Sequence, residues 1–157
     1  MLTAGLREET ESLIYDHYGD TVSVIFNKIS IPIEIKSIAE KNAHLRFTLN
    51  QIYIWEILDG DSLIGIVFLD NVKGKSQPIT YAVFFDSDGK VQQSHIIKYR
   101  EPIGGEVSNR QWLKQFIGKS NPFKETMSPF DGGLKEGEGI CFSSVLGYWI
   151  GLRLKTQ

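Results

Sequence analysis

The sequence predicts a single α+β domain in which an antiparallel sheet, a meander of about four strands, packs with N-terminal, middle and C-terminal helices. Three observations predict this class. Apolar residues recur at helical spacing near the start, strand-like runs joined by Asp/Gly turns fill the centre, and an apolar, helix-like stretch closes the chain. The 157 residues, 41% of them hydrophobic, are enough to bury one sizeable core, so we expect one domain over residues 1–157.

The N-terminal segment, residues 1–50, predicts two helices separated by a β-prone run. Leu2 to Tyr18 is predicted as a helix because its apolar residues fall roughly on one face, and Gly19 ends it. Val22 to Phe26 is β-prone but is not assigned to the sheet. Pro32 to Asn42 is predicted as a short helix, since proline suits a first helical position.

Residues 51–157 form the predicted core region, and they begin with the sheet. Its four predicted strands are Gln51 to Leu58, Ser62 to Asp70, Ile79 to Phe85 and Val91 to Tyr99. Asp59-Gly60-Asp61 and Asp86-Ser87-Asp88-Gly89 are hairpin turns, and Asn71 to Pro78 is a polar loop between the two hairpins. We interpret Asp86 and Asp88 as turn residues and not as a general acid/base pair.

The last third of the chain predicts two further helices. Ser108 and Gln111 have capping-box spacing at the start of a helix through Ile117. A long connection then covers residues 118–136. The last helix is predicted to begin near Ser143 or Ser144 and to be largely buried, because apolar residues cover most of its circumference.

Composition excludes several functional classes. The net charge is −2 with both signs interspersed, so no basic stripe marks a nucleic-acid binder. No apolar run reaches the roughly 18 residues of a membrane span, and no signal peptide is recognisable. The lone cysteine and three widely separated histidines (His17, His44 and His95) give no metal site. The common catalytic motifs are missing, so no catalytic residue is assigned.

Two glycine-rich segments are the candidates for binding. Lys98 to Val107 leaves a strand and turns on Gly104 and Gly105, where backbone can approach a ligand closely. The alternative is a plain strand-to-helix turn, which these residues alone favour. Gly137 to Ser144 opens the last helix, where free N–H groups and the helix dipole favour a phosphate. The alternative for this second segment is an ordinary helix cap. Cys141 is either a reactive thiolate at this helix start or a small buried hydrophobic residue.

Together these segments resemble the FMN-binding domain family, which includes the flavin-carrying subunits of the sodium-translocating NADH:quinone reductase and of the Rnf electron-transport complex. Three matches occur in the family's order: the hairpin at Phe85 to Val91, the loop Tyr99 to Val107, and the turn Glu138 to Ser144. The family attaches FMN to a threonine in the last of these. Here Cys141 replaces that threonine, and Glu138 and Ile140 replace a serine and an alanine.

The resemblance implies that FMN is held without the usual covalent link, or is absent. It would place the isoalloxazine ring over Glu101 to Glu106 and the phosphate at Gly139 to Ser144. The residues predicted to bind the cofactor are Glu101, Gly104, Gly105, Glu106, Gly139, Cys141, Ser143 and Ser144. Glu138 would place a negative charge near the phosphate, which disfavours attachment there.

The implied function is electron transfer by a flavoprotein domain, and we expect an electron carrier or binding domain instead of a stand-alone enzyme. The alternative is a flavin-less family member that acts as a binding or assembly module. By resemblance, the partners are membrane electron-transport subunits, and the location is membrane-associated and extracytoplasmic. Without an anchor in the sequence, a cytoplasmic location stays open.

Overall fold

The computed structural model describes residues 2–30, 33, 37, 51–73, 77–88, 90–100, 102, 108–114 and 117–118. These residues form one long helix, five strands and one short helix, and most of the residues in regular structure are in strands. In chain order the elements are α1 (Ala4–Tyr18), β1 (Ser23–Ser30), β2 (Gln51–Asp59), β3 (Ser62–Lys73), β4 (Pro78–Asp86), β5 (Val91–Lys98) and α2 (Arg110–Leu113).

The sheet is an antiparallel meander with the strand order β1-β2-β3-β4-β5, so it has five strands and not the predicted four. The additional strand is the β-prone run, which pairs with β2 from Ser23 opposite Leu58 to Ser30 opposite Gln51. Strand propensity indicated that this run is extended but not which strand it pairs with. Packing between β1 and β2 decides the pairing, because the ring centroids of Phe26 and Trp55 lie 5.0 Å apart.

Helix α1 ends at Tyr18 as the sequence predicts, and it begins at Ala4, two residues after the predicted start. The Thr3 side chain accepts a hydrogen bond from the Leu6 N–H, and Gly19 adopts φ 83°, which favours glycine after a helix. The buried side chains of α1 are Leu6, Thr10 and Ile14. Thr10 satisfies its hydroxyl by donating to the Leu6 carbonyl at 2.7 Å, so α1 buries this face without an unpaired hydroxyl.

A partly buried hydrogen bond also fixes α1 on the sheet. The indole of Trp55, which is fully buried, donates to Glu11 Oε1 at 3.0 Å, and Arg7 Nε donates to the same oxygen at 2.8 Å. Partial burial raises the pKa of Glu11, but the hydrogen bonds and the Arg7 charge outweigh it and hold the pKa below its usual value. The carboxylate therefore stays ionised and joins helix to strand at neutral pH.

The turns between strands confirm both predicted hairpins. Asp59 pairs with Ser62, and Gly60 takes φ 60° in the two-residue turn between them. Asp86 Oδ1 accepts from the N–H groups of Asp88 and Lys90, both at 2.9 Å, which is the predicted turn role of this aspartate.

The predicted polar loop at residues 71–78 is shorter than expected. Strand β3 continues to Lys73 and β4 starts at Pro78, and these two residues are register partners. Polar composition predicted a loop here. The ladder continues because polar side chains at the end of a sheet do not prevent backbone pairing.

The sheet is buried on both faces. The cluster on the α1 side contains Leu6, Ile14, Trp55, Ile57, Val67, Leu69, Ala82, Phe84 and Ile97. The cluster on the opposite side contains Ile52, Ile54, Ile66, Phe68, Tyr81, Val83, Phe85, Val91 and Leu113. Strand β4 contributes to both, and its residues from Ile79 to Phe85 are all buried, as its continuous apolar run indicates.

The predicted middle helix is much shorter in the structure. Its α-helical part is the single turn Arg110–Leu113, and the capping side chain is Asn109, whose Oδ1 accepts from the Gln111 N–H at 2.8 Å. Ser108 was predicted as the cap, but asparagine is at least as strong a cap and stands one residue closer. The predicted helix at Pro32 to Asn42, apart from Ile33 and Ser37, and the predicted last helix lie outside the described residues.

No helix within the described ranges combines the length and the apolar character needed to cross a membrane.

Candidate functional site

All eight residues predicted to bind the cofactor fall outside the part of the chain that the structure describes: Glu101, Gly104, Gly105, Glu106, Gly139, Cys141, Ser143 and Ser144. Their assignment therefore stays a prediction. The structure does describe the strand that leads into the first predicted loop, up to Arg100, and the sheet around it. This end of the sheet, formed by the last residues of β3 and β5 and the first of β4, holds a network of polar side chains.

Arg100 is fixed immediately before the predicted loop. Its Nη1 donates to the Pro78 carbonyl and to the Thr80 hydroxyl, each at 2.9 Å. Thr80 is 1% exposed, so one end of the guanidinium reaches a buried acceptor. Hydrogen bonds from a charged donor are the stronger kind, so the backbone that enters the loop is anchored to β4.

The network extends from β4 to β3. Thr80 and Asn71 are register partners, and the Thr80 hydroxyl donates to Asn71 Oδ1 at 2.5 Å. The Thr80 oxygen thus accepts from Arg100 and donates to Asn71, which uses both hydrogen-bonding roles of a hydroxyl. Arg100, the residue before Glu101, is therefore linked by hydrogen bonds to β4 and, through Thr80, to β3.

A carboxylate lies next to this network, on the sheet face opposite α1. Asp70 Oδ1 accepts from the Asn71 N–H at 2.7 Å, and Oδ2 accepts from the Tyr81 hydroxyl at 3.4 Å. Burial raises the pKa of Asp70 to about 6, and these two hydrogen bonds only partly oppose the shift. Asp70 therefore exchanges its proton close to neutral pH, which is unusual for an aspartate.

A second polar cluster joins the end of α1 to β5. Gln93 Nε2 lies 2.9 Å from His17 Nδ1, and Gln93 Oε1 lies 2.9 Å from His95 Nε2. An amide nitrogen only donates and an amide oxygen only accepts, so this orientation of Gln93 assigns an acceptor role to His17 Nδ1 and a donor role to His95 Nε2. Both assignments are met by neutral imidazoles.

The environment of His95 also favours its neutral form. Burial lowers the pKa of His95, and the nearby charges of Arg110 and His17 lower it further. Its ring packs against Phe84, with 5.4 Å between ring centroids. The sequence interpretation of His17 and His95 as surface or core-edge residues is consistent with these contacts, whereas His44 is not among the described residues.

A cavity of about 240 Å³ lies between β5 and α2. Its described lining consists of Gln93, Ser94, His95, Arg110, Leu113, Lys114 and Ile117. The Ser94 side chain is 7% exposed, and its hydroxyl has no hydrogen-bond partner. The described lining contains two cationic side chains and no carboxylate, which gives the cavity a positive character.

The sequence interpretation did not single out the residues of these polar groups. A carboxylate at the end of an apolar strand, as at Asp70, is a signal of a buried acid. Arg110 with Lys114, and Leu113 with Ile117, are four residues apart, which is a signal of one charged and one apolar line on a helical turn. No group of three potential metal ligands occurs among residues 2–118 where the structure describes them.

Comparison with solved structures shows the fold that the chain shares with a known protein. The crystal structure of NqrC from Shewanella oneidensis matches with a TM-score of 0.61 and 16% sequence identity, over 99% of this chain and 100% of that chain. No family model matches the sequence, and no curated protein does. The structural match therefore shows a common fold along the whole length at low sequence identity.

Proposed function

We propose that this chain is an FMN-binding domain that transfers electrons and holds its flavin without a covalent link. The observation that carries the proposal is the fold shared with NqrC over 99% of this chain and 100% of that chain. The motifs at the hairpin, the loop and the last helix supply independent support, because they occur in the order of the FMN-binding domain family.

The predicted loop after β5 would hold the isoalloxazine ring. Gly104 and Gly105 have no side chains, so backbone there can approach a flat ring closely. Arg100 stands directly before this loop, and its hydrogen bonds to Thr80 and Pro78 anchor the start of the loop to β4. Bound FMN would supply the redox chemistry, and the chain would position it and set its electrostatic environment.

The turn before the last predicted helix would hold the phosphate by hydrogen bonds alone. Gly139, Ser143 and Ser144 offer backbone N–H groups and hydroxyls, which bind phosphate at helix starts. Cys141 stands where the family has the threonine that forms the phosphoester, so the usual hydroxyl for that bond is missing. Non-covalent binding follows from this replacement.

Intact mass and visible absorbance test the proposal. The full chain is produced alone and together with a flavin transferase, and its melting temperature is then measured with and without excess FMN. We expect an unmodified mass in both preparations and a melting temperature that rises with FMN, because a ligand that binds only the folded state stabilises it. A colourless protein whose melting temperature does not change with FMN would contradict the proposal.

Two variants of the turn separate the two modes of attachment. Cys141→Ala should keep an unmodified mass beside the transferase, whereas Cys141→Thr should acquire an FMN-sized mass increase there. Loss of an FMN-sized adduct in Cys141→Ala would instead show that the cysteine itself carries the flavin.

A second candidate function follows from the altered turn. With Glu138, Ile140 and Cys141 in place of the family's residues, the chain would be a flavin-less binding or assembly module. This candidate predicts no response to FMN and a partner protein bound instead of a chromophore. The same absorbance and melting experiment therefore distinguishes it from the flavin protein.

We also propose partners and a location from the same resemblance. The partners would be subunits of a membrane electron-transport complex, and the chain would function at the extracytoplasmic face of the membrane. Fractionation of the native cells with an antibody against the chain tests this placement, and recovery from the cytoplasmic fraction alone would contradict it.

A further inference from the structure

The cavity between β5 and α2 has the features of a built binding site that the proposed flavin contacts do not use. Strand β5 is the last strand of the sheet, so one of its edges faces α2. The chain after α2 returns to this edge, where the Gly118 N–H donates to the Val91 carbonyl at 2.7 Å. This backbone hydrogen bond fixes the segment that carries Ile117 against the strand.

The described lining of this cavity carries two positive charges and no negative charge. Arg110 and Lys114 both line it and both are exposed, so their charged groups stand at its solvent side. Burial lowers the pKa of His95 and the Arg110 charge lowers it further, so His95 adds no third charge at neutral pH. Among the described lining residues there is no carboxylate to neutralise the pair.

A buried hydroxyl at the same place has no partner. Ser94 lines the cavity from β5, with 7% of its surface exposed and no hydrogen bond to its Oγ. Leaving a buried hydroxyl unpaired costs free energy, and such groups call for an explanation. The Ser94 Oγ itself exposes almost no surface, so a ligand oxygen in the cavity would supply the missing hydrogen bond after the Ser94 side chain turns toward it.

The remaining lining is apolar. Leu113 is 7% exposed and belongs to the cluster on the sheet face opposite α1, whereas Ile117 is 51% exposed at the cavity. An inorganic anion would leave these side chains unused. A volume of about 240 Å³ also exceeds what a small anion alone requires.

We propose that this cavity binds a phosphate monoester, with the phosphate at Arg110, Lys114 and the Ser94 hydroxyl, and the organic part against Leu113 and Ile117. Arg and Lys both bind phosphate, and a serine hydroxyl donates to a phosphate oxygen. FMN and other phosphate esters contain the group that the cavity chemistry recognises. FMN bound here would place its phosphate at this cavity instead of at Gly139 to Ser144.

An NMR titration of the full chain tests the site with three probes: phenyl phosphate, inorganic phosphate and phenol. We expect phenyl phosphate to shift the amide signals of Ser94, Leu113 and Ile117 and to bind several-fold more tightly than inorganic phosphate. Phenol, which lacks the anion, should produce no comparable shifts. Matched sodium chloride keeps the ionic strength constant, because such contacts are screened by salt.

Charge-removing variants locate the binding. Arg110→Gln/Lys114→Gln should weaken phenyl phosphate at least tenfold. The matched control is Lys28→Gln/Lys98→Gln, which removes the same charge at two exposed positions that do not line the cavity and should leave the affinity unchanged. Equal affinities in wild type and in the Arg110/Lys114 variant would overturn the proposal, as would an equal loss in both double variants.

Ser94→Ala separates binding from folding. Without ligand, the variant should melt at the same temperature as the wild type or higher, because it removes an unpaired buried hydroxyl. Its affinity for phenyl phosphate should nevertheless fall several-fold. An affinity equal to that of the wild type would show that the hydroxyl does not face the ligand and would count against the site.

FMN and riboflavin identify the source of the phosphate. If FMN binds through this cavity, the Arg110/Lys114 variant loses FMN and phenyl phosphate together, and riboflavin binds weakly to the wild type. If the cavity serves another ester, the variant loses phenyl phosphate and retains FMN. Failure of FMN to bind the wild type would contradict the proposed function only, whereas failure of phenyl phosphate to shift the cavity signals would overturn this proposal.

Discussion

At the scale of single residues, the end of the sheet contains two polar groups in contrasting surroundings. Thr80 is 1% exposed and satisfies its hydroxyl through Arg100 and Asn71. From the described residues Asp70 accepts one short hydrogen bond and one of 3.4 Å, so its burial is poorly compensated and raises its pKa to about 6. The neutral form of Asp70 is thus the one that the fold favours.

Replacing Asp70 with asparagine should remove the free-energy cost of burying an ionised carboxylate. The folded state holds the Asp70 proton more tightly than the unfolded chain, whose pKa is near 3.8, so stability falls as pH rises from about 4 to about 6. A shift of about two units corresponds to about 3 kcal/mol as an upper bound. Asp70→Asn should therefore be more stable than the wild type by about 1–3 kcal/mol at pH 8, and close to it at pH 4.

Urea unfolding at pH 4, 6 and 8 measures this difference. Asp16→Asn, on the exposed side of α1, is the matched control and should retain the wild-type decrease in stability between pH 4 and pH 6. An Asp70→Asn variant that is less stable than the wild type at pH 8 would contradict the prediction and would show that the ionised carboxylate is well compensated.

At the scale of elements, the contact between α1 and β3 depends on a glycine. A Cβ on Gly65 would lie 2.9 Å from Tyr18 Cζ and 3.1 Å from the Phe85 carbonyl oxygen, and closer still to Tyr18 Oη. Tyr18 is held there by stacking on Phe84 and by its hydrogen bond to Gln92 at 3.1 Å. The last turn of α1 therefore packs on bare backbone, and β3 has no room for a side chain at this point.

Gly65→Ala should lower the free energy of unfolding by about 1–3 kcal/mol, the usual cost of overpacking. Gly5→Ala is the matched control, because Gly5 is helical and has nothing within 4 Å of an added Cβ. That control should be stabilising by up to about 1 kcal/mol. Urea unfolding of both variants measures the effect, and a neutral Gly65→Ala would contradict the close approach of Tyr18.

The Tyr18→Phe background provides a further check. Removing the hydroxyl removes the atom nearest to the added Cβ, so Gly65→Ala should cost less there than in the wild type. Equal costs in the two backgrounds would place the origin of the destabilisation elsewhere, for example in the backbone of β3.

At the scale of the whole molecule, the central strands have apolar side chains on both faces of the sheet, and both faces must be shielded from water. Trp55, Val67 and Phe84 are fully buried on the side where Leu6 and Ile14 of α1 pack. Each large apolar side chain contributes about 1.5–3 kcal/mol on burial, which is a large fraction of the stability of a domain. The sheet and α1 should therefore fold as one cooperative unit.

A chain without residues 1–19 should lose cooperative unfolding. Its exposed sheet face would bind a hydrophobic dye and favour association, since large apolar patches rarely stay free in water. Circular dichroism during urea unfolding and dye fluorescence measure the effect, and Tyr15→Ala, at a 40% exposed position of α1, is the mild control. A sharp transition near that of the wild type would show that α1 is dispensable.

The sequence predicts the motif segments of the candidate site, because motifs and their order are local features. The eight residues predicted to bind a cofactor lie outside the described residues, so that assignment stays a prediction. The polar groups around Asp70, Thr80 and Ser94 could not be predicted in the same way. Each depends on which residues stand opposite it across neighbouring strands, and the sequence does not state this register.

The sequence by itself determined the elements whose signals are local. It predicted α1 with its Gly19 end and both hairpins, because helix caps and two-residue turns act over a few residues. Only the tertiary structure decided the fifth strand, the short α2 and the cavity beside β5. The physical reason is that strand pairing and cavity lining are fixed by contacts between distant segments, whose free energy depends on packing that no local pattern encodes.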